Sequence, residues 1–177
     1  MIIANHLKNT NIAEYILYIW QTEDLIRAYN FDIELIRENI ILKYKYSKEV
    51  LKEIEHYFEG LIDLMEVDKI KHRGHFQFLV NIINDLGELH NKLLNHISDK
   101  NYQELYNIAS NNIKQLKEKS KNKDISDIEV CFNGLYGLLI IRLKKQEVSK
   151  ETIDAMKTIS NLLGYLSSKY LEKNNLN

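Results

Sequence analysis

Four side chains in the first long apolar stretch could do chemistry: Trp20, Glu23, Asp24 and Arg27, together termed the polar centre. At the helical repeat of 3.6 residues, Glu23 shares a face with the isoleucines of this stretch, and Asp24 lies on the adjoining face with Trp20. Both carboxylates are therefore expected near the core, where a charge is costly unless it is paired. Arg27 follows Glu23 by one helical turn, so we predict an ion pair that fixes the helix register.

The polar centre also has a functional interpretation. Carboxylates in perturbed environments mark some ligand and metal sites, so Glu23 or Asp24 could line a pocket that binds a small molecule or a metal. A simple exposed face or a subunit contact is a further alternative. We favour the structural interpretation, because paired buried charges are a common device for conformational specificity.

Two pairs of acidic residues give the best alternative involving an enzyme. Asp63 with Glu66, and Asp85 with Glu88, are each one helical turn apart. Helical nucleotide hydrolases hold magnesium with acidic pairs of this kind on facing helices, because the ion prefers carboxylate oxygens. Acidic residues at helical spacing more often form a solvated face, so this is the alternative hypothesis.

Histidines suggest a metal site only weakly. Two ligands on one helix face must be three or four residues apart, whereas His90 and His96 are six apart. His72 and His75 lie where one helix ends and the next begins. We interpret all four as ordinary surface histidines and predict no cofactor.

Other catalytic motifs are lacking. A di-iron site needs two Glu-x-x-His pairs, and the sequence has one, Glu53 with His56. No arginine precedes a histidine by four to six residues as in helical toxin-type ribonucleases, and no glycine-rich phosphate loop or nucleophile elbow is present. Cys131 lies next to Phe132 on a predicted apolar helix and is predicted to be a buried, inert thiol.

Composition argues against nucleic-acid and membrane partners. The formal net charge is -1, whereas phosphate binding needs clustered basic residues. The strongest basic cluster is interrupted by Glu118 and Asp124 and lacks stacking aromatics; its lysines are at positions 114, 117, 119, 121 and 123. Leu135–Ile141 is far shorter than the roughly 20 apolar residues of a membrane span. One cysteine and no leader pattern favour the cytoplasm.

Helices must position all of these side chains. The 177 residues include no proline and six glycines, so an all-α fold is predicted. We expect a single helical domain over 1–177, a bundle of about six or seven helices with short connections and a polar tail from about 172. The predicted helix-capping residues are Asn11, Ser47, Asp99 or Ser98, Ser126 and Ser149, and a further helix is expected to start near Asp32. The helix after Ser126 is apolar on nearly all sides and should be central, with Gly134 and Gly137 allowing close packing.

The ends of the sequence resemble a known family. The opening Met1-Ile-Ile-Ala, the segments Asn11-Ile-Ala-Glu-Tyr and Trp20-Gln-Thr-Glu-Asp-Leu-Ile-Arg-Ala28, and the stretch from Ser149-Lys-Glu-Thr to Tyr165-Leu-Ser-Ser-Lys-Tyr170 carry the resemblance. They are similar to an uncharacterised bacterial all-helical family, domain of unknown function 4924. The resemblance covers essentially the whole chain and implies a single helical domain. It implies no activity, substrate or catalytic residue.

Together these observations favour an interaction or assembly module without catalytic activity. Tyrosine suits interfaces, because one end of its ring can be buried while the other stays wet. Several of the eleven tyrosines lie near predicted helix ends, at positions 44, 46, 102, 106 and 170. We therefore predict a homo-oligomer or a protein partner. The alternative is a metal- or small-molecule-dependent enzyme, resembling the nucleotide hydrolases, that uses carboxylates on facing helices.

Overall fold

A computed structural model describes residues 2–95 and 99–174 of the chain. Within these residues the chain forms eight α-helices and one 3₁₀ helix, and no strand is found. The helices are α1 (Ile2–Thr10), α2 (Ile12–Ala28), α3 (Ile33–Asn39), the 3₁₀ helix (Ile41–Lys43), α4 (Lys48–Val67), α5 (Gln77–Asn95), α6 (Lys100–Lys119), α7 (Asp127–Leu143) and α8 (Lys150–Asn174). None of these helices is long and apolar enough to cross a membrane.

The predicted all-α class is confirmed, whereas the predicted count of six or seven helices is too low. The additional helix is α1, which only Asn11 separates from α2. It was missed because a helix of nine residues gives little periodic signal: Ala4 is buried, while Ile3 is exposed. The predicted tail is helical to Asn174. His96, Ser98 and residues 175–177 lie outside the described residues, so the predictions on them stay predictions.

Side-chain caps start the helices where their residue types predict. Ser47 accepts a hydrogen bond from the Val50 N–H, and Ser126 accepts one from the Glu129 N–H. Each such cap satisfies a backbone donor that has no partner in the first helical turn. Asp32, Asp99 and Ser149 act in the same way at α3, α6 and α8.

The chain divides into two compact units. The first consists of residues 1–8 and 14–80, and the second of residues 9–13 and 81–177. The first unit buries one face of α4, and its fully buried residues include Ile16, Ile19 and Met65. The prediction of a single domain stays a prediction.

Helix α7 of the second unit, predicted to be apolar on nearly all sides through Ile141 and therefore central, buries five residues: Ile128, Val130, Cys131, Phe132 and Leu138. Its other apolar residues up to Ile141 are half-buried. Gly134 permits close packing as predicted, since a Cβ there would lie 2.7 Å from Leu116 Cδ1. Gly137 does not, because a Cβ there would meet nothing within 4 Å.

Candidate functional site

Glu23 is the buried anchor of the polar centre in the first unit. Helix α2 carries it on the face of the fully buried Ile16, Ile19 and Ile26, and its side chain has no exposed surface. Oε1 accepts a hydrogen bond from the Phe76 N–H at 2.8 Å. Oε2 lies 2.6 Å from His75 Nδ1. Both carboxylate oxygens therefore have hydrogen-bond partners inside the protein, as a buried charge requires.

His75 is the closest partner of Glu23, and the local sequence pattern did not reveal it. A carboxylate oxygen only accepts, so the His75 Nδ1–H donates, and this bond fixes the tautomer of the ring. The imidazole also stacks on Trp20, with ring centroids 4.1 Å apart and planes 17° from parallel. The His75 side chain keeps 34% of its surface exposed. The ring is thus held by a hydrogen bond at Nδ1 and by stacking on Trp20, while part of its surface stays accessible to solvent.

Arg27 links α2 to the segment between α4 and α5. Its Nη2 donates to the Ile70 carbonyl at 3.1 Å and to the Gly74 carbonyl at 2.6 Å, and its Nε donates to the Ile70 carbonyl at 3.3 Å. Nη1 lies 2.9 Å from Asp24 Oδ1 and 3.9 Å from Glu23 Oε2. The predicted ion pair between Glu23 and Arg27 is therefore present, but the distance between its charged atoms is long for an ion pair.

Asp24 corrects the prediction that both carboxylates lie near the core. Its side chain is 49% exposed. Successive helical residues are 100° apart, so the turn of α2 that buries Glu23 fully directs its neighbour towards solvent. Arg27 meets Asp24 at this edge and is itself mostly buried.

Backbone geometry shapes the segment that Arg27 contacts. Gly74 has φ +95°, a conformation that residues with a Cβ rarely adopt. Asp68 Oδ2 accepts a hydrogen bond from the Gln77 N–H at 2.9 Å, close to the start of α5. The left-handed turn and this bond bring His75 and Phe76 back to Glu23. Phe76 is fully buried beside the carboxylate it contacts.

The four acidic residues of the enzyme alternative are all exposed. Glu66 Oε1 lies 2.5 Å from Lys71 Nζ, and Asp85 interacts with the Tyr170 hydroxyl. Across residues 2–95 and 99–174, no group of three or more His, Cys, Asp or Glu side chains is arranged to hold a metal ion. Asp63 with Glu66 and Asp85 with Glu88 stay a hypothesis.

A second polar cluster, in the second unit, is centred on His90. The prediction that His90 lies on the surface is wrong, because His90 is buried. Its Nδ1 lies 2.6 Å from the hydroxyl of the fully buried Tyr102, and its ring meets the ring of Tyr106 edge to face at 5.1 Å. The error arose because an isolated histidine carries no periodic signal, although it falls one residue after the buried Leu89.

Asp127 completes the second cluster. Its Oδ2 accepts a hydrogen bond from the Tyr106 hydroxyl at 2.7 Å, and its Oδ1 lies 2.5 Å from Lys117 Nζ. One lysine of the predicted basic cluster is therefore paired within the protein. These bonds join Asp127, the first residue of α7, to two residues of α6.

Burial is the main cause of the pKa shifts of His90, Tyr106 and Cys131 in and beside this cluster. It lowers the pKa of His90, with Lys117 adding to the effect and Asp127 opposing it. Burial, aided by Asp127, raises the pKa of Tyr106 to about 12. Burial also raises the pKa of the Cys131 thiol to about 12, which fits the predicted inert thiol. All three groups are neutral at physiological pH.

A shallow groove lies between α6 and α8 of the second unit. It has a volume of about 310 Å³ and mixes amide, charged and apolar side chains; its lining includes Asn112, Gln115, Lys119, Glu151 and Met156. Most of these residues also lie on the open surface. Apart from Lys119 of the basic cluster, none of the candidate site residues predicted from the sequence lines this groove.

Comparison with protein families identifies the chain. A family model described as Domain of unknown function (DUF4924) matches residues 1–176. The chain belongs to this family. The match extends over both units and over the two end segments that carry the resemblance. The family description names no activity, so the roles of Glu23 and His75 rest on their geometry.

Comparison with the curated proteins and with the solved structures gave no match.

Proposed function

We propose that this chain is a bacterial, cytoplasmic interaction and assembly module without catalytic activity. In this proposal it folds as one helical bundle domain and acts as a homo-oligomer or with a protein partner. The polar centre then has a structural role. It joins α2 to the segment before α5, so that the outer surface of the first unit keeps a fixed shape.

The geometry of Glu23 supports the structural role. Both of its oxygens are engaged, by the Phe76 N–H and by His75 Nδ1, and the side chain is fully buried. Three bonds from Arg27 go to backbone carbonyls of the same segment. A ligand could reach the carboxylate only by displacing these bonds, which would leave buried polar groups without partners.

The observation that carries the interaction proposal is a short run of exposed apolar side chains. Leu35, Leu42 and Tyr46 lie within twelve residues, over α3 and the segment that follows it, and each exposes between 41% and 57% of its surface. The Tyr46 ring lies 6.1 Å from the ring of Tyr44. Apolar and tyrosine side chains gathered on one segment are typical of protein interfaces.

Sedimentation velocity and native mass spectrometry over a wide concentration range test this proposal. We expect an assembly larger than one chain, or a defined complex with a protein partner. The double variant Leu42→Ser, Tyr46→Ser should weaken that assembly. The matched control, Ile108→Ser with Leu143→Ser, removes exposed apolar side chains of the second unit. A monomer that forms no complex, or equal effects of both double variants, would contradict the proposal.

The pairing of Glu23 with His75 favours one second candidate, a metal- or small-molecule-dependent enzyme. A carboxylate that orients a histidine through Nδ1 directs the opposite nitrogen, Nε2, towards a ligand or a proton in many sites. His75 is partly exposed, as such a role requires. Native mass spectrometry of the freshly purified protein would reveal a retained ligand, and His75→Gln should abolish the added mass. An unchanged added mass in His75→Gln would contradict this candidate.

A further inference from the structure

The segment between α4 and α5 has a basic outer surface. We call residues 69–75 the basic loop; they follow α4 and precede α5. Its exposed side chains that can carry positive charge are Lys69, Lys71, His72 and Arg73, and the loop contains no acidic residue. Arg27 and Glu23 hold this loop from the protein interior, and neither of these contacts involves the four exposed side chains.

Arg27 also fixes the direction of two backbone N–H groups of the basic loop. Its guanidinium donates to the carbonyls of Ile70 and Gly74. Both peptide bonds are trans, and in a trans peptide the C=O and the next N–H point in opposite directions. The N–H groups of Lys71 and His75, which follow these carbonyls, therefore point away from Arg27.

These two N–H groups belong to a run of five donors. In the part of the chain that the structure describes, no protein atom accepts a hydrogen bond from the backbone N–H groups of residues 71–75. Residues 71–73 form a bend, and Gly74 is left-handed with φ +95°. Successive N–H groups in turns of this kind form concave donor sites that bind anions. The basic loop thus combines backbone donors with cationic side chains.

Three of the four exposed side chains have no acidic partner. Lys71 is engaged, since its Nζ lies 2.5 Å from Glu66 Oε1. Within residues 2–95 and 99–174, no carboxylate forms an ion pair with Lys69, His72 or Arg73. Arg73 suits a phosphate best, because its planar guanidinium can donate to two oxygens at once and keeps its charge at every physiological pH.

The carboxylates beside the basic loop limit the kind of anion that it can bind. Each of them has a partner within the protein; they are Glu23, Asp24, Glu66 and Asp68. Their four formal charges balance those of Arg27 and of the two lysines and Arg73 of the loop. The loop therefore has no large net field to attract a polyanion over a distance. Its donors act at short range, which favours a small anion with several oxygens.

We propose that the outer surface of the basic loop binds a phosphate group, either as inorganic phosphate or as the phosphoryl end of a small monoester. Arg73 donates to two of its oxygens, and backbone N–H groups of the loop donate to the others. This inference goes beyond the proposed assembly function and does not depend on it. It also differs from the ligand candidate at His75, because the phosphate contacts the backbone N–H of that residue rather than its ring.

Isothermal titration calorimetry on the full chain tests the site with two probes, inorganic phosphate and methyl phosphate, at constant ionic strength. At about pH 7.5 both probes carry close to two negative charges. We expect both to bind, and the tighter of the two identifies the source of the group, a free ion or a phosphorylated small molecule. Arg73→Gln should raise the dissociation constant at least roughly fivefold, because it removes a charge-assisted, bidentate donor.

Arg142→Gln is the matched control. It removes the same charge from an exposed arginine of the second unit and should leave the dissociation constant unchanged. Amide proton–nitrogen correlation spectra provide a second measurement that needs no variant. Phosphate should shift the amide resonances of Lys71 and His75, whereas sodium chloride at equal ionic strength should not.

Three results would overturn the phosphate site. The first is that neither probe binds at millimolar concentration. The second is an equal dissociation constant in Arg73→Gln and Arg142→Gln, which would place the bound phosphate elsewhere. The third is a set of amide shifts that chloride reproduces. None of these results bears on the oligomeric state, so the proposed assembly function is tested separately.

Discussion

The two histidine clusters hold an imidazole by different chemistry. In both, Nδ1 lies 2.6 Å from an oxygen, but the oxygen belongs to the Glu23 carboxylate for His75 and to the Tyr102 hydroxyl for His90. His75 keeps a third of its side chain exposed, whereas His90 is buried. The difference teaches that the partner of each histidine depends on which group is buried. The fully buried Glu23 carboxylate requires a hydrogen-bond donor, which His75 supplies, whereas the buried and neutral His90 requires only a hydroxyl.

The largest expected effect is that of Glu23→Gln. The amide can still accept the Phe76 N–H bond, but it removes the charge opposite His75 and Arg27 within a buried site. We expect the free energy of unfolding to fall by about 3 kcal/mol, because removing one member of a buried ion pair leaves the rest uncompensated. Urea denaturation followed by circular dichroism measures this change.

Asp24→Asn is the matched control for that variant. It also removes a carboxylate from Arg27, but one that is half exposed. We expect a loss of less than about 1 kcal/mol, since water can replace an exposed partner. Equal losses in the two variants would show that the burial of Glu23 does not matter for its pairing.

The second largest effect is expected for Tyr102→Phe in the second unit. The change removes the hydroxyl that contacts His90 Nδ1 and leaves a buried nitrogen without that partner. We expect a loss of about 2 kcal/mol in the free energy of unfolding. Tyr165→Phe removes a hydroxyl that contacts Asp99 in a half-buried position and should cost less. If Tyr165→Phe cost as much, the hydroxyl of Tyr102 would have no special role.

The smallest expected effect is a pH dependence that His90 causes. Burial holds the folded-state pKa of His90 below its unfolded value of about 6.5, and Lys117 lowers it further while Asp127 raises it. When the pH falls below about 6.5, the unfolded chain takes up a proton that the folded chain still resists. The free energy of unfolding should therefore decrease with falling pH in this window.

Denaturation at about pH 7.5 and pH 5.5 measures this dependence, with His90→Gln as the comparison. Glutamine has no titratable group, so the variant should lose less stability over the interval, even if it is less stable at neutral pH. Tyr102 and Tyr106 stay protonated over the whole range, because burial raises the pKa of both. An identical pH dependence in wild type and variant would assign the effect to other groups.

Local sequence signals were sufficient for much of the fold. The serine and aspartate caps at Ser47, Asp99 and Ser126 were predicted from residue type, since each satisfies donors only a few residues away. The burial of Glu23 followed from its spacing relative to the isoleucines of α2. The exposure of Asp24 did not follow from its spacing, because the elements that pack against a helix decide where its buried face ends.

The sequence by itself determined the helical class, most helix starts and the presence of a charge in the core, because these depend on contacts between residues a few positions apart. Only the tertiary structure decided which residues pair with this buried charge, the carboxylate of Glu23. His75 and Phe76 lie 52 and 53 positions from Glu23 in the chain, and only the turn at Gly74 returns them to it. Asp127 likewise meets Tyr106 from 21 positions away. Hydrogen bonds over such separations depend on how helices pack, and no local repeat in the sequence encodes that packing.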